Sequence, residues 1–180
     1  MSDELADAYL RNIVRTYRTY KDMAERAIEQ VRLEEDLNRE LDESSNSIAI
    51  IVKHMSGNLR SRFRDFLTTD GEKPDRDRDV EFESDTNVSR EDLLRWWNAA
   101  WDIALHSIEA LSPDDLDRTV QIRGEEMLVI EALNRSVTHA AYHVGQIVYL
   151  ARHFASPNWK TLSIPKRQAP EAGAPAAQPK

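Results

Sequence analysis

The chain has 180 residues, a formal net charge of −8 and no cysteine, and its length suits one domain with a single sizeable core. The acidic balance argues against a nucleic-acid partner, because phosphate neutralisation needs a clustered basic surface. The lack of cysteine excludes disulfides, thiolate-held zinc and a protein thiol nucleophile, so any sulfur chemistry must arrive with a substrate or cofactor.

The first residues lack the basic and apolar regions of a secretory signal, and no apolar run reaches membrane-spanning length. We therefore expect a cytoplasmic protein that does not engage a membrane. Ser2 is suited to cap a first helix, with Asp3 and Glu4 in the turn where negative charge is favoured. Apolar residues then recur at helical spacing, which predicts a long helix from about residue 3 to about residue 33.

The acidic, serine-rich stretch 34–45 is typical of a connection. A second helix is predicted from about residue 46 to about residue 67. Its apolar stripe consists of Ile48, Ile51, Val52, Met55, Leu59, Phe63 and Phe66. From 68 to 88 the composition becomes strongly charged, which predicts a mobile, solvated crossover loop that is long enough to cross the molecule.

A third helix is predicted to begin at Ser89, where residues 89–92 match a capping box, and to continue to about Leu111. Its apolar positions are unusually rich in large side chains. Three of them, Trp96, Trp97 and Trp101, fit a hydrophobic core or a subunit interface better than a cofactor site.

Residues 119–122 alternate between polar and apolar side chains, which predicts a short extended segment. The fourth long helix is predicted from about residue 125 to about residue 153. The Ala/Pro-rich residues 166–180 are expected to be a disordered tail after a domain that spans 1–165. Four long helices, a charged crossover and one short extended segment indicate an all-α four-helix bundle.

Two histidines, His139 and His143, lie four residues apart and therefore on one face of the fourth predicted helix. Two neutral imidazoles one turn apart can bind the same metal ion, as the histidines of HExxH helices do. Ala140 stands where that motif has glutamate, so the general base of a metalloprotease is missing. The pair needs at least one further ligand, and the alternative is a hydrogen-bonded pair that lines the core.

His54 is the candidate third ligand, because it lies among apolar positions of the second predicted helix. A buried neutral imidazole needs a partner, which is either a metal ion or a neighbouring side chain. Ser47 and Asn58 lie near the same face and are candidate supporting groups. His106 lies on a charged helix face and His153 closes a helix, where a cation complements the dipole. We expect neither to be a ligand.

The order of these features resembles the DinB-like (YfiT-like) superfamily of four-helix-bundle metalloenzymes, in a branch of unknown function. The resemblance covers about residues 5 to 165. It rests on one histidine in the middle of the second helix, His54, on the HxxxH pair of the last long helix, and on the stretches 46–54 and 142–150.

The resemblance implies a three-histidine site, formed by His54, His139 and His143, for a divalent metal, most often zinc or nickel. Characterised relatives transfer or rearrange groups with low-molecular-weight thiols; they are bacillithiol transferases and a mycothiol-dependent maleylpyruvate isomerase. Many are homodimers. The resemblance therefore implies a homodimeric, metal-dependent enzyme of the thiol S-transferase or isomerase type that acts on a small molecule. The acidic composition gives no special help in attracting an anionic thiol.

Two other functions stay open at the level of sequence. A metal- or small-molecule-binding stress protein would use the same three ligands without turnover, and a structural dimerisation bundle would use the histidines as ordinary core groups. Three imidazoles leave one coordination position vacant, as in catalytic sites. A thiol in that position loses its proton to the metal and becomes a nucleophile, which favours the enzyme. The sequence assigns no catalytic side chain.

Overall fold

The computed structural model describes residues 2–84 and 87–164, and these residues are mostly helical. An antiparallel pair of short strands, β1 (Thr119–Ile122) and β2 (Glu125–Leu128), directly precedes the last helix. The predicted disordered tail, 166–180, lies outside the described residues. The helices of the described residues are α1 (Asp3–Gln30), α2 (Glu34–Asn38), α3 (Ile48–Phe63), α4 (Arg90–Glu109) and α5 (Val129–Ala155).

Serine side chains begin α3 and α4. Ser47 Oγ accepts a hydrogen bond of 3.2 Å from the backbone N–H of Ile50, and Ser89 Oγ accepts one of 3.1 Å from the N–H of Asp92. Each bond satisfies a donor that the first turn of a helix leaves unpaired. The predicted cap at Ser89 is confirmed, whereas Ser47 serves the start of its helix and does not support a histidine.

The four long helices share one hydrophobic core. Helix α3 packs on α4, α1 packs on α5, and the pairs also meet through α1 with α4 and α3 with α5. Tyr17 of α1 is fully buried, and its ring meets Trp101 of α4 edge-on at 5.5 Å and Phe63 of α3 at 6.0 Å. Trp97 is also fully buried and Trp96 packs partly buried against the core, so the expected core role of the tryptophans is confirmed.

Two helices end earlier than the sequence predicts. Helix α1 ends at Gln30 and α3 at Phe63. Shortly after α3, Asp65 adopts a φ of 52°, a left-handed conformation that a short polar residue tolerates but that cannot continue a helix. None of the helices in the described part of the chain is both long and apolar enough to cross a membrane.

The segment before α5 corrects a predicted boundary. The sequence predicts the last helix from about residue 125, but 125–128 pairs as β2 with β1, from Thr119 opposite Leu128 to Ile122 opposite Glu125. The connecting residues have positive φ, 58° at Arg123 and 74° at Gly124. A two-residue turn of this kind matches the twist of a hairpin. The predicted extended segment at 119–122 is confirmed. Residues 125–128 form a strand, so the last helix begins at Val129.

The charged segment 68–88 is anchored to the hairpin. The carboxylate of Asp70 accepts hydrogen bonds from the backbone N–H of Arg123 at 2.9 Å and of Gly124 at 2.7 Å. The segment later forms a short 3-10 turn, Val80–Phe82, which packs on α3. The hairpin thus holds the start of this segment, and α3 holds residues 80–82.

Two charged side chains of this segment, Lys73 and Glu81, are buried, so the prediction of a wholly solvated loop is wrong. A charge can be buried only if it is paired and hydrogen-bonded. The Glu81 carboxylate accepts hydrogen bonds from Nε and Nη2 of Arg76, each 2.8 Å long. The Lys73 amine donates to the carbonyl of Asp70 at 2.5 Å. This charged segment is therefore ordered locally by an ion pair and hydrogen bonds.

Candidate metal centre

The structure brings together the three histidines that the sequence singles out. His54 comes from α3, and His139 and His143 come from successive turns of α5. Nε2 of His139 lies 3.3 Å from Nε2 of His54 and 3.1 Å from Nε2 of His143. The ligand atoms of all three lie within 4.8 Å of one another. His106 and His153 are exposed and take no part in this group.

These separations fit one shared metal ion. Zinc binds an imidazole nitrogen at about 2.0–2.1 Å, and two such nitrogens in a tetrahedral arrangement are then about 3.3 Å apart. The two Nε2–Nε2 distances of 3.3 Å and 3.1 Å agree with that value. Two core histidines also have this separation when one ring donates a hydrogen bond to the other. The tautomers of the rings therefore decide between a metal site and a hydrogen-bonded pair.

The outer ring nitrogens of two histidines face oxygen acceptors. Nδ1 of His54 lies 3.0 Å from Oε2 of Glu81, and Nδ1 of His143 lies 2.8 Å from Oε1 of Gln146. Each Nδ1 therefore carries the proton and donates it, which leaves the lone pair on Nε2. Both lone pairs face Nε2 of His139, which has at most one proton to give. A cation satisfies all three rings, whereas hydrogen bonding satisfies only two.

Glu81 is the supporting residue that sequence reasoning missed. It receives Nδ1–H of His54 and the guanidinium of Arg76. Burial raises the pKa of Glu81, but the hydrogen bonds from Arg76 and His54 outweigh it, so the net pKa lies below its usual value. An ionised carboxylate behind a ligating histidine fixes the ring and makes it a better donor. Of the two expected supporting groups, only Asn58 lines the site.

The environment keeps two of the histidines neutral. Burial lowers the pKa of His139 to about 3, and the neighbouring rings of His143 and His54 add to the shift. Burial lowers the pKa of His143 to about 4, although the hydrogen bond to Gln146 opposes part of the effect. At neutral pH both rings therefore have the uncharged form that binds metals.

A cavity of about 470 Å³ lies beside the three histidines, a volume that suits a small molecule. The ring of Phe82 lies against His54 at 4.7 Å, and the ring of Tyr142 meets His143 edge-on at 4.8 Å. None of the described residues that line the cavity is Asp or Glu. The arginines that line it are Arg62, Arg76, Arg78, Arg123 and Arg135. The local charge is thus opposite to the net charge of −8.

Solved structures with a similar fold are DinB-like proteins of bacilli. One from Bacillus cereus ATCC 10987 has a TM-score of 0.59 and 12% identity, over 79% of this chain and 91% of that one. Another from Bacillus subtilis has a TM-score of 0.59 and 15% identity, over 85% of this chain and 96% of that one. At these identities the likeness concerns the fold alone. No protein of curated function matches the sequence.

A family described as "protein of unknown function (DUF1572)" matches residues 4–168, which is nearly the whole chain. The solved structures that share its fold are DinB-like, and the resemblance noted from the sequence is confirmed. This chain therefore belongs to the DUF1572 family, and its fold is that of DinB-like proteins.

Proposed function

We propose that the protein is a divalent-metal-dependent enzyme built on a four-helix bundle, with His54, His139 and His143 as the ligands of a zinc or nickel ion. The observation that carries the proposal is the convergence of three Nε2 atoms beside a cavity of about 470 Å³. Three ring nitrogens leave a coordination position open. The cavity gives a small molecule access to that position.

We further propose that the reaction is a group transfer or isomerisation that uses a low-molecular-weight thiol. A divalent metal supplies the acidity that converts such a thiol into a thiolate at neutral pH. The chain has no cysteine of its own, so the sulfur must enter with the small molecule. The resemblance to thiol-dependent DinB-like enzymes supports this choice of reaction.

The side chains around the site have separable tasks in this proposal. Glu81 and Gln146 hold the protons on Nδ1 of His54 and His143, so that both Nε2 lone pairs face inward. Phe82 packs against His54 at an interplanar angle of 38°, and His54 is only 5% exposed. Water exclusion strengthens the electrostatic interactions within a site.

Metal content tests the ligand assignment. We expect about one divalent ion per purified chain, and its loss when alanine replaces His54, His139 or His143. His106→Ala is the matched control, because His106 is exposed and outside the group. Chelation should lower the melting temperature of the wild type and the control by mass action but leave the three variants unaffected. Full metal content in any ligand variant would contradict the assignment.

A reaction assay then separates an enzyme from a metal-binding protein without turnover. The metal-loaded chain is incubated with bacillithiol, mycothiol and glutathione, each with an electrophile, and conjugates are measured by mass spectrometry. We expect a conjugate with at least one thiol, lost in His139→Ala. A chain that holds one ion but forms no conjugate with any of them would support the binding protein instead.

We also propose that the protein acts as a cytoplasmic homodimer. Tyr142 and Tyr149 are 63% and 72% exposed, and they lie seven residues apart on α5, hence near one another on the helix surface. Aromatic side chains exposed in this way are enriched at interfaces. Sedimentation should give twice the chain mass, and Tyr149→Ser should shift the equilibrium toward monomer; a monomeric wild type would contradict this.

A further inference from the structure

The cavity beside the three histidines has a charge that the rest of the chain does not predict. The net charge of the whole chain is −8, yet every Asp, Glu, Lys or Arg among the described residues that line this cavity is an arginine. Clefts lined by one sign of charge concentrate ligands of the opposite sign, because their low-dielectric walls focus the field. The arginine lining therefore favours an anionic ligand.

Three of these arginines share two carboxylates. Arg62 and Arg123 each lie 3.0 Å from Oε2 of Glu72, and Arg76 lies 2.8 Å from both oxygens of Glu81. The arginines of these pairs line the cavity, whereas Glu72 and Glu81 do not. Even within this group the guanidiniums outnumber the carboxylates.

The other two arginines, Arg78 and Arg135, have no ion pair within residues 2–84 and 87–164. The guanidinium carbon of Arg78 lies 4.9 Å from the ring centroid of Phe82, and the Phe82 ring also packs against the ring of His54. Arg135 lies on α5 one turn before His139, so it extends the same stripe of the helix. Among the described residues, two cations without an ion pair thus line the cavity, one from the charged segment and one from α5.

An unpaired guanidinium is well suited to an acid group. Its planar donors match the geometry of a carboxylate, and charge-assisted hydrogen bonds of this kind are about twice as strong as neutral ones. The cavity also has an apolar wall, which includes Phe66, Ile122 and Ala132. An inorganic anion has no apolar surface to bury against that wall, whereas the carbon skeleton of an organic acid does.

We propose that the cavity binds a small carboxylate-bearing organic anion, with Arg78 and Arg135 holding its acid groups beside the three histidines. The proposal rests on the proposed function for the reaction that the anion undergoes, and it names the substrate class of that site. Anion binding itself depends on the arginines and not on turnover. The arginines supply locally the attraction for an anion that the acidic composition of the whole chain does not supply.

Calorimetric titration of the purified protein tests the proposal, with metal content measured on the same sample. The probes are phenylsuccinate, its neutral diamide and inorganic phosphate. We expect phenylsuccinate to bind more tightly than phosphate, the diamide not to bind, and added salt to weaken phenylsuccinate binding. Arg78→Gln and Arg135→Gln should each weaken it about tenfold.

Arg152→Gln is the matched control. It removes the same charge from an exposed position of the same helix, and Arg152 does not line the cavity. We expect phenylsuccinate affinity to stay within about twofold of wild type, since a distant charge is largely screened. Equal losses in Arg152→Gln and Arg135→Gln would overturn the proposal, because net charge alone would then explain the effect.

Metal content separates the outcomes. Weaker phenylsuccinate binding in Arg78→Gln and Arg135→Gln at unchanged metal content supports the anion site. Unchanged binding in both variants, or equal binding of the diamide, overturns it even if the metal is present. Arginine-dependent binding to a chain that holds no metal supports the anion site and contradicts the metal-dependent function.

Discussion

A β-carbon at Gly57 would lie 1.9 Å from Oε1 of Glu81 and 2.7 Å from its carboxyl carbon. The carboxylate that receives Nδ1–H of His54 therefore occupies space that only glycine leaves open at this position of α3. Gly57 and His54 are three residues apart and face the same side of the helix. Glycine inside a helix costs about 1 kcal/mol relative to alanine, and the close approach of Glu81 explains why this helix contains it.

We expect Gly57→Ala to weaken metal binding about 10- to 100-fold, because the displaced Glu81 no longer fixes the His54 ring. Helix propensity alone predicts a gain in stability. Gly145→Ala is the matched control, since a β-carbon at Gly145 in α5 meets no atom within 4 Å. Competition with a chelator of known affinity measures both variants. Equal metal affinity in the two would show that the contact at Gly57 has no role in the site.

Glu81→Gln keeps the size of the side chain but removes the charge that pairs with Arg76. Arg76 would then be a buried charge without a partner, which costs about 3 kcal/mol. The free energy of unfolding should fall by about that amount. Metal affinity should also fall, because a glutamine amide is able to donate to Nδ1 and leave the proton on Nε2 of His54. Denaturant melts and chelator competition measure the two effects.

The control for this variant is Glu83→Gln, two residues along the same segment and exposed. Its unfolding free energy and metal affinity should match those of the wild type, as expected for a surface substitution. A loss of stability in Glu81→Gln with full metal affinity would restrict Glu81 to holding the charged segment in place.

The three histidines could be predicted from the sequence because their relation is largely periodic. Residues four apart on a helix must share a face, so His139 and His143 were predicted to lie side by side. His54 followed from its apolar surroundings and from the family resemblance. Confirmation that all three converge required the packing of α3 on α5, which no local pattern specifies.

Glu81 and Arg76 could not be predicted in the same way. They are five residues apart in a segment without helical or strand periodicity, and its composition is that of a solvated loop. Their burial depends on long-range contacts, such as those of Asp70 with the hairpin turn. The second strand was missed for a related reason, because short strand pairing is decided by the partner and by burial more than by intrinsic propensity.

A buried hydrogen bond links α1 to the helix that carries the histidine pair. The hydroxyl of Tyr17 donates to Oγ of Ser136 at 2.6 Å, and both residues are buried. Burial raises the pKa of Tyr17, so the hydroxyl keeps its proton and remains a donor. We expect Tyr17→Phe to lower the free energy of unfolding by about 1–2 kcal/mol, since Ser136 loses its partner. The double variant with Ser136→Ala should lose less than the two single losses combined, and additive losses would contradict the coupling.

Asp70 should give the stability of the protein a specific pH dependence. The backbone N–H of Glu72 lowers its pKa most, and those of Gly124 and Arg123 add to the effect. A carboxylate whose pKa is lower in the folded than in the unfolded chain stabilises the fold at pH values above its ordinary pKa, which is 3.8 here. That contribution disappears as the pH falls through the lowered pKa of the folded state, because both states are then protonated.

Asp70→Asn removes the charge but keeps an oxygen acceptor, so it isolates this contribution. At pH 6 we expect the variant to melt about 2–4 °C below the wild type, as for a loss of about 1 kcal/mol, because solvent screens this partly exposed carboxylate. The difference should shrink as the pH falls below 3.8 and vanish once the pH is below the lowered pKa of the folded state. Asp102→Asn is the control, because Asp102 is exposed on α4 and its carboxylate has no comparable set of backbone donors. A constant difference between pH 6 and pH 3 would mean that Asp70 acts through shape and not through its charge.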